Sequence, residues 1–395
     1  MTDSQNMLIN LLRKSLFDFN FEIPESVDWN CVYEEAAYQS VVAMAFDGTS
    51  GIPDIPAEIY KDFKDYTISV FLKNDAVLNE QKSLIKLLES NDVKYAVLKG
   101  TSAARLYNKP ELRTLGDIDI LVKKSDFEST KSLLMLNEYR LIDDGFNHFH
   151  CEFERNGVVV ELHHEISEFP KTKLCDELRA ELQKAVDSTV KADKSELGYE
   201  YSILSPLYQA VSLLLHMERH ISKDGLGLRQ LLDWGEFLRK NSEFLSEEKD
   251  ISFLKKYGLY KFAVIGENII KKYFYQQKVK DDIADSVFEL AVKKGNFGVK
   301  RSEKQTYATY MISSDNKSPL KWFRYFKTRS IYSWELTKKH RWLSNFAFIV
   351  LPMRYLIRVI FGKRKMINYN ELISESNSMS GIVKDLGVFK NDSEE

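Results

Sequence analysis

Two aspartates, Asp117 and Asp119, lie one residue apart in the otherwise apolar sequence DIDILV. On a β-strand, residues two positions apart point to the same face, so the two carboxylates would lie side by side. Burying two like charges among apolar residues is unfavourable unless a cation lies between them. Mg²⁺ binds carboxylate oxygens and often carries substrate phosphates. The pattern therefore predicts a metal site for phosphate chemistry, with solvent-facing aspartates on a half-exposed strand as the alternative.

A glycine turn, Gly100-Thr101-Ser102, follows the apolar sequence KYAVL. Glycine lets the backbone approach a phosphate closely, and the start of the next helix offers free N–H groups. The two hydroxyls add donors, and Lys99 or Arg113 could neutralise a triphosphate. We therefore predict a nucleotide-binding role for Lys99, Gly100, Thr101, Ser102 and Arg113. An ordinary strand-to-helix turn and a surface ion pair of Arg113 are the alternatives.

A third carboxylate, Glu161, lies in VVVELHH, two residues before His163 and on the same face of a predicted strand. It would complete a two-metal cluster or take the proton from an attacking hydroxyl. We predict that Asp117, Asp119 and Glu161 are the catalytic and metal-binding residues, with His163 lining the site. The alternative for Glu161 is a charged residue on the wet face of a sheet.

Zinc chemistry has little support in the sequence. His216 and His220 share a helix face, but the order HMERH differs from the HExxH motif of zinc proteases. We therefore interpret them as ordinary helix histidines. The three cysteines (Cys31, Cys151 and Cys175) are widely spaced, which argues against a disulfide framework and a zinc ribbon. Their usage is typical of a reducing cytoplasm.

These motifs resemble the nucleotidyltransferase superfamily that includes DNA polymerase beta, and more closely a bacterial family of uncharacterised nucleotidyltransferases. The resemblance covers about residues 30–300 and rests on L-K-G at 98–100, Tyr107, Arg113, G-D-I-D-I-L-V at 116–122 and E-L-H at 161–163. Two positions depart from the wider superfamily. Its turn usually carries Gly-Gly or Gly-Ser, and its third carboxylate is more often Asp.

The resemblance implies an enzyme that transfers NMP from an NTP to an acceptor hydroxyl, with Mg²⁺ or Mn²⁺ as cofactor and pyrophosphate as product. It also implies that Arg229 and Asp233, which match a downstream R-x-x-x-D helix, line the site. An ion pair within the helix is the alternative for these two residues. The acceptor stays open among a small molecule, a sugar, tRNA and a protein. Two other functions stay open as well: a catalytically inactive protein that binds a nucleotide or a partner, and a toxin-like transferase that modifies tRNA or protein.

The elements that must position these residues are four strands and the helices around them. Apolar sequence predicts strands at KYAVLKG, DIDILV, HFHCEFER and GVVVELHHEI, the last two joined by the hairpin turn Asn156-Gly157. Ser125 is the predicted N-cap of one helix, and Ser205-Pro206 begins another. We predict an α+β fold: a small mixed sheet forms the nucleotidyltransferase core, with helical regions before and after it.

The chain of 395 residues exceeds one ordinary core, and we divide it into four regions. These are an N-terminal helical region (1–90), the α/β core (91–170), a helical acceptor-side domain (171–300) and a basic-aromatic helical region with a frayed tail (301–395). The formal net charge of −2 gives no support for a global nucleic-acid-binding surface. The N-terminus lacks the pattern of a signal peptide, so we predict a cytoplasmic protein.

The segment 321–361 mixes basic and aromatic residues and ends in the apolar run LSNFAFIVLPMRYLIRVIF. Arg354, Arg358 and Pro352 interrupt that run, so no transmembrane span is expected. Packing in the protein core, peripheral contact with a membrane and binding of nucleic acid remain open for this segment.

Overall fold

The computed structural model describes residues 1–144, 149–170, 172–221 and 225–296, with short stretches between 336 and 389. Residues 1–221, 225–300 and 382–395 form one compact unit, which contains every predicted site residue. Residues 222–224 and 301–381 form a second unit. Most of the segment 321–361 lies outside the described residues. Among all the residues that the structure describes, no helix is both long and apolar enough to cross a membrane.

Four helices precede the sheet, as predicted for residues 1–90. They are α1 (Asp3–Phe17), α2 (Trp29–Tyr38), α3 (Val42–Gly48) and α4 (Ala57–Ser90). A capping box between Thr2 and Gln5 begins α1. Helix α3 ends against α1 at Gly48, where a Cβ atom would lie 2.2 Å from the carbonyl oxygen of Leu11. Glycine at this position therefore allows the two backbones to touch.

The described residues form one mixed sheet of seven strands, in the order β3-β4-β5-β2-β1-β7-β6. The strands are β1 (Tyr95–Val97), β2 (Ile118–Val122), β3 (Arg140–Asp143), β4 (His150–Arg155), β5 (Val158–His163), β6 (Val190–Lys191) and β7 (Ser202–Ile203). The pairs β2/β5 and β1/β7 are parallel, and the other pairs are antiparallel. A mixed sheet between helical regions confirms the predicted fold class. Strands β3, β6 and β7 were not predicted, and the last two come after residue 170.

The Asn156-Gly157 turn joins β4 to β5, as predicted. Both residues have positive φ, 52° and 76°, which the two-residue hairpin turn requires. On one face of the sheet, Ile120 and Leu162 pack in a core with Leu84 of α4. The alternate residues of β2 and β5 therefore point to the opposite face, where the predicted site lies.

In the part of the chain that the structure describes up to residue 296, nine further helices follow β1. They are α5 (Thr101–Ala104), α6 (Phe127–Leu136), α7 (Lys173–Leu182), α8 (Lys194–Leu197), α9 (Pro206–Arg219), α10 (Leu228–Lys240), α11 (Glu248–Lys256), α12 (Tyr260–Tyr273) and α13 (Asp282–Lys294). Helix α9 begins at Ser205 and Pro206, as predicted. The prediction that Ser125 caps α6 was wrong, because a 3-10 turn precedes this helix and the Ser125 hydroxyl donates to Asp126.

Candidate functional site

The three predicted carboxylates come together near the N-terminal end of β2. Asp119 of β2 lies directly opposite Glu161 of β5 in the parallel register, and Asp117 immediately precedes β2. One carboxylate oxygen from each residue lies within 4.8 Å of the other two. Asp119 is buried, whereas the Glu161 side chain is 17% exposed and Asp117 is also partly open to solvent, so solutes can reach the cluster from the side of Asp117 and Glu161.

Two basic side chains contact Asp119. Lys99 Nζ lies 2.7 Å from Asp119 Oδ1, and His163 Nε2 lies 3.0 Å from both Asp119 Oδ1 and Glu161 Oε2. Burial alone would raise the pKa of Asp119, but Lys99 and His163 hold this pKa well below its usual range. Asp119 is therefore a fixed negative charge between two cations.

Asp117 has the opposite environment. Burial, together with the charges of Asp119 and Glu161, raises the pKa of Asp117 to about 7. The combined negative charge of Asp117, Asp119 and Glu161 is thus larger than the positive charge that Lys99 and His163 supply. Three convergent carboxylates supply the hard oxygen ligands that Mg²⁺ and Mn²⁺ prefer. A divalent cation would relieve the repulsion that raises the pKa of Asp117, so the residues present fit such an ion.

The predicted glycine turn lies beside this cluster. Gly100 has φ 57° and ψ −104°, a conformation that residues with a side chain rarely adopt, and a Cβ atom would lie 3.4 Å from the Asp117 carbonyl oxygen. Thr101 donates to Gln81 Oε1 at 2.6 Å, and Ser102 donates to the Leu98 carbonyl oxygen. Both side chains are almost fully buried. Their hydroxyls are therefore already used in hydrogen bonds inside the protein. A phosphate at this turn would contact backbone groups and not these hydroxyls.

Arg113 and Asp233 contact one another directly. Arg113 Nε lies 2.7 Å from Asp233 Oδ1 and its terminal nitrogen 2.6 Å from Oδ2, while the Tyr107 hydroxyl donates to Oδ1 at 2.8 Å. Arg229, one turn earlier on α10, donates to the Thr114 carbonyl oxygen at 3.3 Å. Arg229 and Asp233, the two residues of α10 that were predicted to line the site, thus hold residues 113–114, which lie shortly before β2.

Asn74 of α4 holds the same segment from the other side, and sequence reasoning missed it. Its amide nitrogen donates to the carbonyl oxygens of Glu111 and Arg113, at 2.9 and 3.0 Å. Its side-chain oxygen accepts from the Leu115 N–H at 2.8 Å. A single Asn in a long helix carries no sequence pattern that points to this contact.

Sequence reasoning also missed His150 and Glu152 of β4, which extend the polar face to a third strand. His150 lies opposite His163 and Glu152 opposite Glu161. The ring centroids of the two histidines are 4.9 Å apart. The sequence did contain this information, because a two-residue turn at 156–157 fixes the hairpin register and counting back gives both pairs.

The other histidine pair, His216 and His220, lies at the C-terminal end of α9. His216 Nε2 lies 2.8 Å from His220 Nε2, so one ring donates to the other. Burial lowers the pKa of both, that of His220 to about 3. Among the described residues, neither belongs to a group of side chains arranged to hold a metal ion.

Comparison with known proteins defines the class. The sequence model of the family described as "Uncharacterised nucleotidyltransferase" matches residues 25–274. The chain belongs to this family of nucleotidyltransferases, which confirms the prediction made from its motifs. It is also similar to the crystal structure of an antigenic nucleotidyltransferase-like protein from Paracoccidioides brasiliensis, with 16% identity and a TM-score of 0.27 over 45% of this chain and 91% of that chain. No curated protein sequence matches significantly.

Proposed function

We propose that this protein transfers a nucleoside monophosphate from an NTP to an acceptor hydroxyl and releases pyrophosphate in a metal-dependent reaction. The observation that supports this most strongly is the convergence of Asp117, Asp119 and Glu161 within 4.8 Å beside Lys99 and the Gly100 turn. Asp117, Asp119 and Glu161 would hold Mg²⁺ or Mn²⁺. When bound, the ion supplies charge stabilisation at the α-phosphate and makes the attacking hydroxyl more acidic.

The chain's own groups have defined tasks in this proposal. Lys99 keeps Asp119 ionised and adds positive charge near the phosphates. The backbone around Gly100 lies next to Asp117, so a triphosphate placed there would reach the carboxylate cluster. Arg113 acts through its ion pair with Asp233, which fixes the segment before β2.

In the reaction, the acceptor oxygen attacks the α-phosphorus in line. The bond from that phosphorus to the bridging oxygen breaks, and pyrophosphate leaves with the electron pair. In this proposal Glu161 accepts the hydroxyl proton, since its side chain is partly exposed on the open side of the cluster. General base catalysis of this kind contributes about 10²–10⁴-fold to a rate.

We further propose a cytoplasmic location. The three cysteines (Cys31, Cys151 and Cys175) are all free, as expected in a reducing compartment. The acceptor is left to experiment, because nothing among the described residues selects between a small molecule, a sugar, tRNA and a protein.

The test incubates the full chain with Mg²⁺ or Mn²⁺, each α-labelled NTP and a panel of sugars, small alcohols, tRNA and proteins. D119N removes a cluster carboxylate, and E154Q is the matched control. Glu154 is a carboxylate on the same sheet, paired with Arg140 away from the cluster. We expect label transfer and pyrophosphate release from wild type and E154Q, and at least a 10²-fold loss in D119N.

Two results would count against the proposal. If calorimetry detects no metal-dependent NTP binding, the assignment of Asp117, Asp119 and Glu161 as the metal and nucleotide site is wrong. Tight NTP binding without transfer to any acceptor in the panel would favour the inactive nucleotide-binding alternative.

A further inference from the structure

A second group of metal-ligating side chains lies next to the carboxylate cluster. One ligand atom each of His150, Glu161 and His163 lies within 4.8 Å of the other two. This group differs chemically from the first, since it offers two imidazole nitrogens and one carboxylate oxygen. We propose that His150, His163 and Glu161 form a second cation site for a transition-metal ion such as Zn²⁺.

The hairpin makes this arrangement rigid. His150 and His163 are direct cross-strand partners in β4 and β5, and Glu161 is on the same face of β5. Directly opposed residues in an antiparallel pair have Cβ atoms about 4.5–5.5 Å apart, so the hydrogen-bond register itself sets the spacing of the ligands. A site built on paired strands needs little rearrangement to receive an ion.

His163 points its Nε2 at the carboxylate that completes the site. Nε2 lies 3.0 Å from Glu161 Oε2 and 3.0 Å from Asp119 Oδ1. An ion bound at Nε2 would replace the proton that now lies between the ring and these carboxylates. His150, on the paired strand, offers the second imidazole within reach of the same position.

The ligand set indicates which ion is preferred. Imidazole suits Zn²⁺ and other transition-metal ions, whereas an all-carboxylate set suits Mg²⁺ and Mn²⁺. Glu152, opposite Glu161 on β4, has Oε1 3.7 Å from His150 Nε2 and offers a further carboxylate nearby. The inference rests on the geometry of the sheet and does not depend on nucleotidyl transfer.

The test measures Zn²⁺ alone binding to the full chain by competition with a chromophoric chelator. H150Q removes one ligand that is outside the Asp117, Asp119 and Glu161 cluster. H164Q is the matched control, because His164 is the residue after His163 and its ring packs edge-on against Phe127 instead. We expect H150Q to weaken Zn²⁺ binding at least tenfold and H164Q to leave it unchanged, with Mg²⁺ binding unchanged in both. Equal Zn²⁺ affinity in wild type and H150Q would overturn the proposal.

X-ray absorption on the zinc-loaded wild type provides a second measurement that does not depend on how a variant folds. Two imidazoles in the first coordination shell support the site, and fewer than two overturn it. Both readouts are made without nucleotide. A chain that binds Zn²⁺ through His150 but transfers no NMP would therefore overturn only the proposed function, and the reverse result would overturn only this inference.

Discussion

Arg113 and Asp233 form a two-pronged ion pair, 120 residues apart in the sequence, with both side chains about 5% exposed or less. Asp233 lies on α10, and Arg113 lies shortly before Asp117. The Tyr107 hydroxyl contacts the same carboxylate. The helical region after the sheet therefore determines where the segment that carries Asp117 can lie.

Removing one partner of this pair should be strongly destabilising. In R113M, the Asp233 carboxylate would remain buried without its counter-charge, which costs about 3–5 kcal/mol. Urea denaturation followed by circular dichroism measures the loss. The double variant R113M/D233L should be more stable than R113M, because it buries no unpaired charge. D65N, which breaks the exposed Lys61–Asp65 pair, is the control and should cost less than about 1 kcal/mol. A cost for R113M as small as that of D65N would contradict this account.

Replacing Asp117 should stabilise the metal-free protein at high pH. Its pKa is about 7 in the folded state against 3.8 as the reference value. Between these values the folded state binds more protons than the unfolded chain, so the stability of wild type falls as pH rises. D117N has no such titration. In EDTA, its urea midpoint should exceed that of wild type more at pH 8 than at pH 5.

Saturating Mg²⁺ should reverse this order at pH 8. Only the wild type keeps all three carboxylates, and an ion that binds the folded state raises its stability. An identical pH response of wild type and D117N, or no effect of Mg²⁺ on their difference, would show that Asp117 does not take part in the cluster.

Gly100 should tolerate no side chain. Its backbone conformation, with φ 57°, costs a residue with a Cβ atom about 1–3 kcal/mol. We expect G100A to lose stability by this amount and to lower metal-dependent NTP binding. Gly116, next to Asp117, is the matched control, because a Cβ atom there meets nothing within 4 Å. Equal melting temperatures and equal NTP affinities for G100A and G116A would refute the assignment.

The cysteines should separate into one accessible and two protected thiols. Cys31 is exposed, whereas Cys151 and Cys175 are buried. Burial raises the pKa of the Cys151 thiol to about 12, so it stays protonated and unreactive in the folded state. Alkylation followed by mass spectrometry should modify only Cys31 in the native protein and all three residues in urea. Rapid native labelling of Cys151 would mean that β4 opens readily.

Local patterns were enough to predict the strand that holds Asp119, the hairpin and the family. These features depend on neighbouring residues: apolar runs for the strands, and an Asn-Gly pair for the turn. The carboxylate cluster followed because alternation along a strand places Glu161 and His163 on one face. The register that joins this face to Asp119 comes from tertiary packing and was not predictable.

Long-range partners explain most of what the sequence could not predict. The Thr101 hydroxyl is directed by Gln81 of α4, and the position of Arg113 depends on Asp233 of α10. No local sequence pattern indicates either contact. Strands β6 and β7 are two residues long, which is too short for any periodicity. The His150–His163 pair is different, because the hairpin rule alone would have predicted it.

The register between β2 and β5 has one further consequence. Asp119 meets Glu161 only because the two parallel strands pair at one alignment, in which Ile120 and Leu162 fill the core on the other face. A slip of β5 by one residue would send Glu161 inward and Leu162 outward. Misaligned chains would thus lose the core and the proposed metal ligands at the same moment. We therefore expect folding errors in this protein to yield molecules that lack the proposed activity and that quality-control proteases can recognise.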